Sequence, residues 1–264
     1  MATSIAICSG KGGVGKSNIT VNLAMVYQSM GKKVAIFDAD FGMANSHILM
    51  GINPQHYISE ALSGEKLISE IACSGPRGVN VYSGGSGLLE VLNLDKTKRF
   101  QTIRLMDEIE DQMDILLVDV PAGASDNSVS FVSAADRAVV VLVGEPTSFL
   151  DAYSFIKACH LEMKITDFTI VVNMANNAAE AKKHFDRFNA IAMQFLDVRL
   201  RFGGQIPMSQ RMRKAVINRV PITARKSDLP EVIAFQSLAK QVLDAPMNTT
   251  KGIRFFQQGK SGEG

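Results

Sequence analysis

Apolar runs of strand length alternate along this chain with longer segments in which apolar residues return every three or four positions. Ile5–Ile7, Lys33–Phe37, Val79–Tyr82, Ile115–Val118, Ala138–Val143 and Phe168–Val172 are the strand candidates. Lys16–Met30 places Ile19, Leu23, Val26 and Met30 on one helical face, and Gly31 ends it. Phe100–Asp111, Ser148–Glu162, Ala178–Phe195 and Glu231–Leu243 also read as helices. Strands that are apolar throughout need cover on both faces. The pattern therefore predicts an α/β fold: a doubly wound, mostly parallel sheet with helices on both faces. The length of 264 residues suits one domain over residues 1–246 better than two. From Met247 to the end the sequence is rich in Gly, Lys, Thr and Gln, which predicts a tail outside the core.

Composition narrows the class. The net charge of +2 does not point to a nucleic-acid protein. Cys8, Cys73 and Cys159 are far apart and form no CxxC pair, so neither a disulfide framework nor a metal cluster is expected. That usage fits a reduced cytoplasm. No run approaches the roughly 18 apolar residues that span a bilayer, and Lys11 follows the first strand too soon for a signal-peptide core. A cytoplasmic protein is expected, at most peripheral at the inner membrane.

The chemistry concentrates in Gly10-Lys11-Gly12-Gly13-Val14-Gly15-Lys16-Ser17, a full match to GxxxxGK[ST] between a strand and a helix. Glycines let the backbone turn its N–H groups onto phosphate oxygens, and the helix N-terminus adds positive potential. Four fixed positions match by accident in about one chain in a hundred, and the strand–loop–helix context makes an idle match rarer still. Lys16 is placed to reach the β- and γ-phosphates, with the Ser17 hydroxyl on Mg²⁺ and Asn18 beside them. Asp38, Asp40 and Asp119 fall at or just beyond strand ends, where open parallel sheets place ligands. There a carboxylate holds Mg²⁺ or its waters, although Asp38 could instead serve mainly to hydrogen-bond its own loop. Asn173 is followed by Met-Ala-Asn-Asn and not by an NKxD motif, which argues for ATP over GTP.

Lys11 is unnecessary for simple phosphate cradling. With it, the loop resembles that of the MinD/ParA family of deviant Walker A ATPases, over roughly residues 3 to 243. The resemblance implies that Lys11 crosses a homodimer interface to the nucleotide of the partner subunit. It implies that Asp40 orients the attacking water, that Asp119 supports the metal shell, and that Gly123 offers its N–H to the γ-phosphate. Asn173 would contact adenine, under the loop Gln205-Ile206-Pro207-Met208. Asp38–Asn45 and Asp119–Gly123 would be the two switches.

The segment Gly144-Glu145-Pro146-Thr147-Ser148, with Asp151-Ala152-Tyr153 and Ile156-Lys157, is similar to the flagellar-number regulators FlhG and FleN, a MinD-like branch. So is Asp38-Ala39-Asp40-Phe41-Gly42-Met43-Ala44-Asn45. Pro146 with Thr147 or Ser148 would in any case start a helix. This likeness implies partners such as a flagellar GTPase, switch-complex proteins or a transcription regulator. The first strand begins at residue 4 with no DQAxxLR motif before it, a departure from the branch that puts stimulation of the GTPase in doubt. Lys251-Gly252-Ile253-Arg254-Phe255-Phe256 has the composition of a short interfacial membrane anchor, or belongs to an unstructured tail. Two alternatives compete with the switch. A DNA- or cargo-partition ATPase would use Arg211, Arg213, Lys214, Arg219, Arg225 and Lys226 as a basic surface, and a small-molecule ligase would bind a substrate beside the γ-phosphate.

Overall fold

Two-residue alternation along the strands divides the core between the two faces of one sheet. A computed structural model describes residues 1–42, 44–85, 94–225, 227–249 and 252–256. Its strands are β1 (Thr3–Cys8), β2 (Val34–Asp38), β3 (Cys73–Ser74), β4 (Asn80–Ser83), β5 (Ile115–Asp119), β6 (Arg137–Leu142), β7 (Asp167–Ala175) and β8 (Arg199–Pro207). They lie in the order β3-β4-β2-β5-β1-β6-β7-β8, all parallel except the β3–β4 pair. The described helices are α1 (Lys16–Ser29), α2 (Ser46–Leu49), α3 (Ile58–Leu62), α4 (Lys96–Leu105), α5 (Asp126–Ala134), α6 (Pro146–Met163), α7 (Ala178–Phe195), α8 (Gln210–Ile217) and α9 (Pro230–Asp244).

Ile5, Ile7, Ile36, Leu117, Val139 and Val141 share one core layer with Ile19 and Leu23 of α1 and Phe235 and Leu238 of α9. The intervening residues Ala6, Cys8, Phe37, Val118 and Val140 share the other with Phe131 of α5, Phe155 of α6 and Phe188 of α7. The doubly wound sheet expected from the sequence is thus present. Its consequence for chemistry is register: Asp38 of β2 pairs with Asp119 of β5, which pairs in turn with Ile7 of β1. The ends of three adjacent central strands therefore meet where β1 runs into the glycine loop.

Several elements depart from the sequence pattern. The helix expected over Phe100–Asp111 begins earlier, because Asp95 caps α4 by accepting from the Lys98 N–H at 2.8 Å, and it tightens into a 3₁₀ turn over Met106–Gln112. Strand β8 was not anticipated, since RLRFGGQIP mixes arginines and two glycines. Nor was α5, whose serines and β-branched residues are poor helix formers. α5 is held by a Ser125 cap and by the burial of Val129, Phe131 and Val132.

The tail also differs from expectation. Phe255 is fully buried and Phe256 nearly so, and the Phe255 ring lies 6.2 Å from that of Phe37. Arg254 pairs with Asp136, the Phe255 N–H donates to the Ala134 carbonyl at 2.9 Å, and the Phe256 N–H donates to Asp107 at 3.0 Å. Large aromatic rings gain more from this core than from water, so residues 252–256 close over the domain and do not stand off as a free anchor. Lys251 of that segment lies outside the described residues. No helix among the described residues is long and apolar enough to cross a membrane.

Candidate nucleotide site

The loop between β1 and α1 is built for an anion. Gly15 sits in the left-handed region at φ 95° and starts α1 with no side-chain cap and no acidic residue in the first turn. The helix's first N–H groups and its positive end are thus left to a ligand. Gly10 is required for another reason: a Cβ there would lie 2.0 Å from the Asp151 carbonyl oxygen, because α6 packs directly on the loop. From the other side, Asn173 at the end of β7 donates from Nδ2 to the Val14 carbonyl at 2.7 Å. The loop is therefore clamped between α6 and β7 before any nucleotide arrives. Gly12, Gly13 and Val14 line a cavity of about 350 Å³ together with Lys11, Glu145 and Met208.

The acidic residues divide their work. Asp38 is fully buried, and its Oδ2 accepts from the Asn45 and Ser46 N–H groups at 2.9 Å each, its Oδ1 from the Asp40 N–H at 3.2 Å. Burial, with Asp119 alongside, pushes its carboxyl well above the usual range, and the bonds from Ser46 and Asp40 offset part of that. With three backbone donors on it, Asp38 orders the first switch loop. Met43 of that loop lies outside the described residues.

Asp119 is different. It is 2% exposed; Oδ2 accepts from the Ser46 hydroxyl at 3.1 Å, and Oδ1 is buried without a partner. Burial pushes this carboxyl up to about 6, against the opposing Ser17 hydroxyl and Lys16 charge. An orphaned carboxylate oxygen beside a P-loop hydroxyl is a hard-oxygen set suited to Mg²⁺, which normally takes one or two carboxylates and completes its shell with phosphates and water. No cluster of three or more His, Cys, Asp or Glu suited to a metal occurs among the described residues, and a bound Mg²⁺ would find its protein oxygens in Ser17 and Asp119. Asp40, half-buried, accepts from the Gly42 N–H at 3.3 Å and lines a cavity of about 430 Å³ with Arg99, Pro121 and Asp126.

Other residues sit less simply than their sequence suggested. Gly123 donates its N–H to the Ser9 carbonyl at 3.0 Å, so a phosphate would have to displace that bond. Ile206 is in the core at 1% exposure, pairing with Asn173 across β7 and β8, so its side chain packs the layer around α1 and cannot cover a base. Pro207 and the exposed Met208 follow at the rim. Asn18 lies in the first turn of α1 and accepts from the Asn22 amide at 2.9 Å. The Lys11 ammonium rests on its own chain, 2.9 Å from Glu145 and 3.2 Å from the Thr147 hydroxyl.

Four contributors escaped sequence reading. Ser46 bonds both switch carboxylates, Glu145 and Thr147 receive Lys11, and Arg99 ties Leu94 to Asp126 and Asn127. Only the cluster of polar residues after Asp119 and the glutamate of the EPTS segment hinted at them.

Comparison with known proteins agrees with this geometry. Residues 1–243 match the ParA family, described as NUBPL iron-transfer P-loop NTPases. The chain belongs to the ParA family of P-loop NTPases. It is 34% identical over 254 residues to the antiactivator FleN of Pseudomonas aeruginosa, covering 96% of this chain and 91% of that one. The flagellum site-determining protein YlxH of Helicobacter pylori is 33% identical over 81% of this chain and 73% of its own. The septum site-determining protein MinD of Pyrococcus horikoshii, solved with Mg-ADP, superposes with a TM-score of 0.74 over 92% of this chain and 96% of its own at 21% identity. The chain is thus a MinD/ParA-type nucleotide-binding ATPase, similar to the flagellar proteins FleN and YlxH. The iron-transfer part of the family description finds no matching ligands among the described residues: Cys8 and Cys159 are buried, with thiols pushed up by that burial, and Cys73 stands apart from both.

Proposed function

We propose that this chain is a slow, ATP-driven dimerising switch that regulates the number or placement of flagella from the cytoplasm or the inner membrane surface. The observation that carries the reading is the pairing of Lys11, which simple phosphate cradling does not use, with a half-exposed resting place on Glu145. An exposed ion pair of this kind is worth at most about 1 kcal/mol and is easily exchanged for a phosphate on a partner subunit. The relatives named for antiactivation and for flagellum siting support the biological assignment.

In this reading the loop N–H groups and Lys16 hold the phosphates. Ser17 and Asp119 hold the Mg²⁺, which neutralises charge on the transferring phosphoryl group. Asp40 accepts a proton or hydrogen bond from the attacking water, and Gly123 leaves Ser9 for the γ-phosphate. Asn173 keeps one N–H and one lone pair beyond its bonds to Val14 and Met174, the pair an adenine edge requires. Release of γ-phosphate would return Gly123 and the Asp38-ordered loop to their present bonds and dissolve the dimer. A flagellar GTPase, switch-complex proteins or a transcription regulator would read the dimeric state. A DNA-partition role has less support. Arg211 of its basic cluster is taken by the buried Glu231 at 3.0 Å, and Lys226 lies outside the described residues.

Light scattering on Asp40→Ala, in which turnover is blocked, tests the switch. Dimer with ATP and monomer with ADP is the expected result, and Lys16→Ala should remain monomeric in both. A monomer in both states for Asp40→Ala removes the switch reading.

A further inference from the structure

The opposite end of the strands carries a third polar cavity, of about 570 Å³, which the nucleotide chemistry does not use. It opens between the carbonyl end of α1, the starts of β2 and β4, and the turn Pro76–Gly78. Val34 lies on its wall, and Asp38 is four residues further along the strand, about 13 Å at ~3.3 Å per residue. This cavity is therefore separate from the switch carboxylates, although β2 runs between them.

Three cations line it, Lys32, Lys33 and Arg77, against one carboxylate, Asp111. None of the three cations is ion-paired among the described residues. Together they outweigh the negative end of the α1 dipole, which alone would repel an anion. Arg77 is held at φ 57°, a left-handed conformation that a residue with a Cβ adopts only when its surroundings enforce it. An independent observation comes from the floor. Tyr82 lies fully buried beneath that floor with its hydroxyl unpartnered, so a ligand in the cavity meets the hydroxyl only where the floor gives way. A buried phenol without an acceptor is a rare and unfavourable arrangement that an oxygen-bearing ligand would satisfy. Asn80 adds an amide able to serve a sugar hydroxyl or a base.

We propose that this cavity binds a phosphomonoester metabolite of nucleotide size. The phosphate lies among Lys32, Lys33 and Arg77, and the organic part reaches down to Asn80 and the Tyr82 hydroxyl. A volume of this order suits such a molecule, and a guanidinium with two ammonium groups suits a phosphate dianion.

The test is calorimetry on the full chain with its phosphate loop saturated by Mg-ADP, titrated with GMP, ribose 5-phosphate and inorganic phosphate in turn. One of the two esters should bind with a sub-millimolar dissociation constant and at least tenfold more tightly than inorganic phosphate. Arg77→Ala should weaken it about tenfold, the order expected for a charged hydrogen bond. Tyr82→Phe, which keeps the ring in place, should weaken it several-fold, with ADP affinity unchanged in both variants. Three results each overturn the proposal: no ester binding, phosphate binding as tightly as the esters, or ester binding indifferent to Arg77→Ala.

Discussion

Phe255 gives the sharpest test of whether the tail belongs to the fold. Its ring is fully buried, edge-on to Phe37 at 6.2 Å and 73°, while Phe37 makes a further edge contact with Phe131 at 5.5 Å. Truncating a buried phenylalanine costs about 3–5 kcal/mol, the sum of lost transfer energy and the cavity left behind. Whole domains have only about 5–15 kcal/mol of stability. At about 2–4 °C per kcal/mol for a chain near this size, Phe255→Ala should lower the melting temperature by about 10 °C, and Phe255→Leu by much less. Thermal unfolding followed by circular dichroism reads this directly, with vesicle co-sedimentation alongside. A drop under about 2 °C for Phe255→Ala would refute the docked tail. If vesicle binding were lost at the same time, the short membrane anchor suggested by the sequence would be restored.

The remaining predictions concern the site. Gly10→Ala places a methyl 2.0 Å from the Asp151 carbonyl and should abolish ATP binding in a filter or fluorescence assay, whereas Gly12→Ala, with nothing within 4 Å, should leave binding within a few-fold. Asn173→Ala removes the brace on Val14 and strands a carbonyl at 2.7 Å, so it should cost about 1–3 kcal/mol of stability in urea titration; an unchanged midpoint would show that the loop does not need the brace. The Asp119 carboxyl, held up to about 6, binds its proton more tightly folded than unfolded. Its contribution to stability therefore falls as pH rises from about 4 to about 6 and stays at that lower level above. Proton and Mg²⁺ compete for the same group, so Mg-ADP affinity should rise with pH up to that point and then level off. Calorimetry from pH 5 to 8 should show this for the parent and lose it in Asp119→Asn, and a flat parent profile would overturn the assignment.

What the sequence alone could determine was local. The glycine loop, its lysines and Ser17 are contiguous, and their chemistry follows from a strand–turn–helix of a dozen residues. The apolar runs similarly announce a covered parallel sheet, because backbone hydrogen bonding and two-sided burial act within each strand. Tertiary structure decided which of these residues meet. Asp38 and Asp119 are 81 positions apart, and only the β2–β5 register sets them side by side and lets Ser46 bind both. The split between them, one carboxylate saturated by backbone N–H groups and the other with a bare oxygen, depends on how the loop after β2 folds back. Asn173 reaches Val14 across 159 residues, and Lys11 reaches Glu145 across 134. The tail misled because its glycines and lysines suggest solvent. Phe255 instead buries against Phe37, and that contact is a property of the packed elements that no segment carries by itself.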